Sequence, residues 1–304
     1  MGRSYGRRAV LLLVLATLAT MLTSGCGLLP PEGARDVVER SGPMRAAALA
    51  PRPGVCYAVA GRGDDYARYR LVACHRPHLL ETVYVGSIAG DESMRDVPPS
   101  IGSPARLAAR AECDLPFADI LGDEWRAGLL RLLVVLPSEQ AWRNGARWFR
   151  CDLGETTGVN NDRLVERAYP LHGALASGRP LALGCFTSPA IHRAGIVLTN
   201  RVDCLVPHQA EFVGTYVEEE LSYAEVTSDA RQVHARCRQV LARAAGLPID
   251  DDLPRRAATV YSAPLEQDWS DGDRTIRCLV WRDDPPLTRS VHGGGTSVLP
   301  VPRG

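Results

Sequence analysis

The chain has 304 residues, with 35 basic side chains, all of them Arg, set against 35 acidic ones. Without Arg3, Arg7 and Arg8 at the extreme N-terminus, 32 basic residues face 35 acidic ones, a net charge of about −3. That balance gives no electrostatic reason to expect nucleic acid or an anionic surface as a partner.

Arg3, Arg7 and Arg8 precede an apolar run from Ala9 to Leu22, which meets Thr23-Ser24-Gly25-Cys26. A charged start, a short apolar stretch and small residues at a cut site describe an export signal over 1–25. The run falls short of the roughly 20 residues that span a bilayer. Small residues ending in Cys resemble a bacterial lipobox, with Thr23 where Leu is usual. Ordinary secretory cleavage and an uncleaved anchor are the alternatives. Two acyl chains on a diacylated Cys26 give stable anchoring where one chain is marginal. Residues 26–52, with Pro30, Pro31 and Pro51, then read as a lipidated Cys and a juxtamembrane tether.

Beyond Cys26 come eight cysteines: Cys56, Cys74, Cys113, Cys151, Cys185, Cys204, Cys237 and Cys278. Their gaps run 18, 39 and 38, then 34, then 19, 33 and 41, which is one spacing used twice. No C-x-x-C occurs, so neither a thioredoxin-like redox site nor a zinc ribbon fits. Pro137–Cys151 (PSEQAWRNGARWFRC) and Pro264–Cys278 (PLEQDWSDGDRTIRC) agree at eight of fifteen positions without gaps. Composition alone predicts about one match. The repeat period of about 125 residues is domain-sized, far above that of solenoids.

In chain order, each unit opens with a short strand, at Gly54-Val55-Cys56-Tyr57 and Gly184-Cys185-Phe186. β-rich segments, 68–74 and 195–204, lead to Cys74-His75-Arg76-Pro77-His78-Leu79-Leu80-Glu81 and Cys204-Leu205-Val206-Pro207-His208-Gln209-Ala210-Glu211. Strands continue over 81–85 and 211–217. Helices are predicted over 105–121 and 228–245, the second with Val233, Cys237, Val240, Leu241 and Ala244 on one stripe, capped by Gly122 and Gly246. Strands 129–136 and 257–263 then lead to hairpin turns at Asn144-Gly145 and Asp271-Gly272, and final strands cover 146–153 and 274–281. The predicted fold is α+β: two tandem homologous domains, 53–154 and 181–283, each a small antiparallel sheet with one packed helix. Residues 155–180 read as a linker, and 284–304, rich in Pro, Gly and Ser, as a disordered tail.

Four cysteines per unit allow three pairings. The order of elements favours Cys56–Cys74 and Cys185–Cys204 between adjacent strands, with Cys113–Cys151 and Cys237–Cys278 tying helix to last strand. Disulfides persist in exported proteins, and a loop of about 18 residues contributes roughly 3 kcal/mol.

Gly-x-Cys-aromatic, Cys-x-x-Pro-His-x-x-Glu, a helical Cys and Trp-x-x-Gly-x-Arg-x-x-Cys together resemble the septum-formation domain of actinobacterial envelope proteins, in two tandem copies. The resemblance covers roughly 53–153 and 183–281. It implies a secreted or membrane-attached protein linked to cell division, with no established catalytic activity to carry over. The expected protein is therefore a lipoprotein on the outer face of the cytoplasmic membrane. It has a non-catalytic binding or structural role and meets envelope or division proteins there, with no nucleic acid and no small-molecule substrate.

His78 with Glu81, and His208 with Glu211, could supply a metal site or an acid–base pair, which gives the alternative of an envelope enzyme or metal-binding protein. His75 is replaced by Leu205 in the second unit, so a shared site cannot need it. With the cysteines oxidised, His and Glu alone are too few for zinc, and no metal, cofactor or catalytic residue is expected. The favoured reading is structural: Pro77 and Pro207 keep the preceding residue extended, the His bonds backbone groups at the bend, and the Glu fixes its tautomer. Trp142 and Trp269 read as core anchors in preference to ligand platforms. His292-Gly293-Gly294-Gly295 lacks a G-x-S-x-G partner for lipase chemistry, and Asp250-Asp251-Asp252 lacks the Gly and Glu of a calcium loop.

Overall fold

The computed structural model describes residues 51–58, 70–114, 117–159, 163–176, 181–187, 190–192, 195–198, 200–228 and 230–302. The export signal, Cys26 and the tether up to residue 50 lie outside them. No helix among the described residues is long and apolar enough to cross a membrane.

In the first half, β1 (Cys56–Tyr57), β2 (Leu71–Val72) and β3 (Leu80–Ser87) are followed by helices α1 (Pro104–Cys113) and α2 (Ala118–Leu121). Then come β4 (Leu130–Val135), the short helix α3 (Glu139–Arg143), β5 (Trp148–Thr156) and β6 (Leu164–Val165). Ser103 caps α1 by accepting from the Arg106 amide, and Pro104 takes the first turn, where its missing N–H costs nothing. The antiparallel sheet runs β2-β1-β3-β5-β4, with β6 on β5. β5 is buried along almost its whole length because it is central, and α1 covers one face of the sheet through Ala109 and Cys113.

The second half repeats the plan. Its strands are β7 (Cys185–Phe186), the hairpin β8 (Ala190–His192) with β9 (Gly195–Val197), β10 (Arg201–Val202) and β11 (Ala210–Val217). Helices α4 (Tyr223–Ser228), α5 (Arg231–Ala245) and α6 (Leu253–Arg256) follow, then β12 (Ala258–Ser262), α7 (Glu266–Ser270), β13 (Thr275–Trp281) and α8 (Gly295–Val298). The sheet order is β10-β7-β11-β13-β12, matching the first half strand for strand. Registers match too. Cys56 sits opposite Glu81 as Cys185 does opposite Glu211, and both long strands bulge, at Val83 and at Val213. In α5, Val233, Cys237, Val240 and Leu241 are buried on one stripe, and Gly246 caps the helix in the left-handed conformation, φ 70°.

Four disulfides are formed: Cys56–Cys74, Cys113–Cys151, Cys185–Cys204 and Cys237–Cys278. In each half one joins the first strand to the motif turn, and the other joins the main helix to the central strand.

Several expectations need correction. The Asn144-Gly145 and Asp271-Gly272 turns do not close two-residue hairpins; they end α3 and α7, with Gly145 and Gly272 at φ 95° and 99°. Residues 163–176 do not behave as a free linker, because Leu171, Ala174 and Leu175 complete the first core. The tail from 284 is not disordered: up to residue 302 it is described, and Leu287, Val291 and Leu299 are buried in the second core. Its Pro and Gly residues shape turns over a hydrophobic groove that the sheet and α5 leave open. The two halves lie within one compact unit. The Leu129 and Leu183 amides donate to Leu181 and Ala127 carbonyls at 2.9 and 2.7 Å, joining the segment before β4 to the start of the second half.

Between the halves a buried apolar cluster, in which Val159 and Leu129 pack with Leu183, Phe186 and Leu279, lies beside a buried ionic one. Asp271 meets Arg106 at 2.6 Å; Asp273 meets Arg110 at 2.9 Å and Arg126 at 3.0 Å; Asp268 meets Arg131 through both oxygens. Arg277 donates to the Arg126 carbonyl at 2.8 Å, and burial pushes its guanidinium down to about 10. Arg126 stacks 4.2 Å from the Trp125 ring centre. Burial would raise the Asp273 carboxyl, but Arg110 and Arg126 outweigh it and hold it below the ordinary range.

Candidate functional site

Each Cys-x-x-Pro-His-x-x-Glu motif turns the chain from the disulfide into a long strand, β3 in the first half and β11 in the second. Pro77 and Pro207 are exposed on the turn, whereas His78 and His208 are fully buried. His78 Nδ1 lies 2.7 Å from the Arg76 carbonyl and His208 Nδ1 lies 2.8 Å from that of Val206. A carbonyl can only accept, so Nδ1 carries the proton and Nε2 presents a lone pair. Neither Nε2 finds a hydrogen-bond partner. Burial pushes His78 below the usual imidazole value, and Arg167 adds to the effect against Glu81.

The backbone of each His pairs with the segment that follows the last strand of its half. His78 and Arg167 exchange both backbone hydrogen bonds, at 2.9 and 3.0 Å; His208 and Leu287 do the same at 2.9 Å each way. The Glu then clamps that same segment. Glu81 Oε2 accepts from the Leu171 amide at 2.8 Å and from Arg167 Nη2 at 3.4 Å. Glu211 accepts from the Val291 amide at 2.7 Å and from the Ser290 hydroxyl. The Glu therefore does not fix the His tautomer; His208 Nε2 and Glu211 Oε2 are 3.8 Å apart, and the carboxylate serves amides 80 to 90 residues away.

Trp142 and Trp269 are both buried. Trp142 donates to the Arg95 carbonyl at 2.7 Å, and Trp269 packs on Tyr223 with ring centres 5.6 Å apart. Arg147 and Arg274 lie over the two rings at 4.2 and 4.4 Å, which accounts for the Trp-x-x-Gly-x-Arg spacing: the glycine turns the chain so the Arg folds back over the Trp. Neither ring presents a face to a ligand.

Between the halves opens a cleft of about 1040 Å³ whose wall carries Asp123, Arg201, Asp203, Glu211, Ser290 and His292. The Ser290 hydroxyl spends its proton on Glu211, while His292 Nε2 faces the Phe212 carbonyl at 3.0 Å. A serine tied to a carboxylate, with the imidazole turned elsewhere, does not form a nucleophile–base pair.

Arg167 and Ser290 are the residues that motif reading misses, and it places His292 only in a His-Gly-Gly-Gly run. The signal was there: Leu171-His172-Gly173 and Val291-His292-Gly293 form a further repeated triplet, with Gly173 and Gly293 at φ 67° and 64°.

A disulfide-stapled α+β protein whose repeated motif residues hold the fold together fits an oxidising, extracytoplasmic setting. The chain belongs to the septum formation family, whose model matches residues 53–278 in one span across both halves. Comparison with curated proteins finds no match, and comparison with solved structures finds none either.

Proposed function

We propose that this protein is a lipid-anchored, non-catalytic component of the cell envelope. It acts in septum formation by holding envelope or division proteins at the outer face of the cytoplasmic membrane. The observation that carries this reading is the family match over 53–278, supported by four disulfides that suit an oxidising compartment. The matching strand orders and the fifteen-residue repeat support an origin by tandem duplication. The non-catalytic reading is supported by where the motif's polar atoms go in the disulfide-bonded protein: both carboxylates accept from backbone amides of their own half. Cys26 is the anchor and the cleft is the docking face, with its mixture of acidic and basic side chains.

The test is crosslinking in living cells with a photoreactive residue at Arg201, on the cleft wall, compared with one at Ile249, which is exposed and not among the cleft residues. Adducts with envelope or division proteins are expected at 201 and not at 249. No adduct at 201, or equal adducts at both, would overturn the docking face. Cys26→Ser should move the protein from the membrane fraction to the soluble extracytoplasmic one.

A further inference from the structure

We propose that the second half carries a zinc site that exists only when the Cys185–Cys204 disulfide is reduced, built from Cys185, Cys204, His208 and Glu211. Cys185 Sγ, His208 Nε2 and a Glu211 carboxylate oxygen lie within 4.8 Å of one another, because Cys185 and Glu211 are cross-strand neighbours and His208 precedes the same strand. A tetrahedral zinc with thiolate, imidazole and carboxylate ligands has ligand–ligand edges of about 3.3–3.8 Å. His208 Nε2 and Glu211 Oε2 already stand 3.8 Å apart.

The imidazole is set as a ligand. Nδ1–H donates to the Val206 carbonyl, the outer bond that orients a metal-bound His, and the Nε2 lone pair is buried without a partner. His208 and Glu211 are 0% and 2% exposed, so burying an unpartnered lone pair beside a carboxylate is a cost that a cation removes. In the oxidised protein both sulfurs are committed to each other. Two ligands remain, which is too few.

Reduction supplies the rest. A dithiol attacks Cys204, the more accessible sulfur and a cleft residue, and the S–S electron pair leaves on Cys185. The second thiol of the reductant then displaces Cys204 and closes the reductant's own disulfide. Two electrons enter the protein, two thiols result, and on binding Zn²⁺ both lose their protons to solvent. Cys204 Sγ lies outside the cluster of Cys185, His208 and Glu211, so on reduction it must part from Cys185 to about 3.8 Å and swing towards the His and Glu to complete the tetrahedron.

The first half holds the same three atom types within 4.8 Å, at Cys56, His78 and Glu81. There the Arg167 guanidinium sits 3.4 Å from Glu81 Oε2 and is buried, so a divalent cation would meet a fixed positive charge. Leu287 takes the place of Arg167 in the second half. One zinc per chain is therefore the expected stoichiometry, not two.

The experiment uses the whole mature chain, treated briefly with dithiothreitol, desalted without oxygen and titrated with Zn²⁺, with thiol counting and native mass spectrometry. Cys113, Cys151, Cys237 and Cys278 are fully buried, so limited treatment opens the two motif disulfides first. The oxidised protein should bind no zinc and the reduced protein one. His208→Ala should lower affinity at least tenfold, His78→Ala should leave it unchanged, and Arg167→Leu should raise the count to two. Zinc on the oxidised protein, none or two on the reduced wild type, retention by His208→Ala or loss in His78→Ala overturns the site. If His208→Ala does not fold, Arg167→Leu carries the test, and a count still at one overturns the assignment of Arg167 as the excluding charge.

Discussion

Arg167 and Leu287 stand at the same point after the last strand of each half, each exchanging two backbone hydrogen bonds with the motif His, yet only Arg167 is charged. Glu81 therefore balances a buried cation, whereas Glu211 holds an amide and a hydroxyl. Removing one partner of a buried pair strands the other in a poorly solvating place, and that costs about 3–5 kcal/mol. Losing a carboxylate that serves neutral donors costs about 1–3 kcal/mol. Glu81→Gln should accordingly destabilise the protein by the larger amount and Glu211→Gln by the smaller, read as a larger fall in the guanidinium midpoint for the first variant. Equal falls would mean that Arg167 contributes nothing through its charge. The motif itself was plain in the sequence because four residue types recur at fixed spacing. The partners of the two Glu residues were not, because an amide 80 or 90 residues away leaves no local trace.

At the scale of elements, what could be read was what is local. Strands showed through β-branched and aromatic runs, and the stripe Val233, Cys237, Val240 and Leu241 lies on the core as its spacing requires. Asn144-Gly145 misled because a two-residue signal does not distinguish a hairpin from the end of a five-residue helix; Ser138, which caps α3 by accepting from the Ala141 amide, was the competing cue. Composition misled at the tail. Pro and Gly between 284 and 304 suit a disordered chain equally well as a strap of turns, and what separates the two is the spaced apolar residues, of which Leu287, Val291 and Leu299 are buried. They are 2%, 0% and 0% exposed. Burying each contributes about 1.5–3 kcal/mol, and Val291 also brings the amide that satisfies Glu211. A chain ending at residue 282 should lose on the order of 5 kcal/mol or more, enough to leave it insoluble or largely unfolded. Circular dichroism of the truncated protein checks this; an unchanged melting curve would return the tail to the status of an appendage.

Across the whole molecule, the halves share a plan but differ where they meet. The second half places Asp271 and Asp273 at the turn after α7, where the first half has Asn144 and Ala146, and those two carboxylates enter the arginine cluster of the first half. The repeat made the two turns look alike, since eight of fifteen residues agree, and the charge difference that joins the halves lies among the seven that do not. Asp273 is the hinge of this arrangement. It faces Arg110 and Arg126 directly and lies beside Arg277, all of them nearly or fully buried. Asp273→Asn leaves those guanidiniums without their shared anion, at a cost of about 3–5 kcal/mol. Asp268→Asn, whose two-bond partner Arg131 is partly exposed and can turn to solvent, should cost less than Asp273→Asn. The location of the loss matters more than its size. In the wild type the ionic contact couples two cores that each close with their own disulfides, so calorimetry should show one cooperative transition. With Asp273→Asn the coupling weakens while both cores stay intact, and the transition should broaden or split into two. A single sharp transition at a lower temperature would instead place the coupling in the apolar cluster around Val159 and Phe186 and the backbone bonds between 127–129 and 181–183.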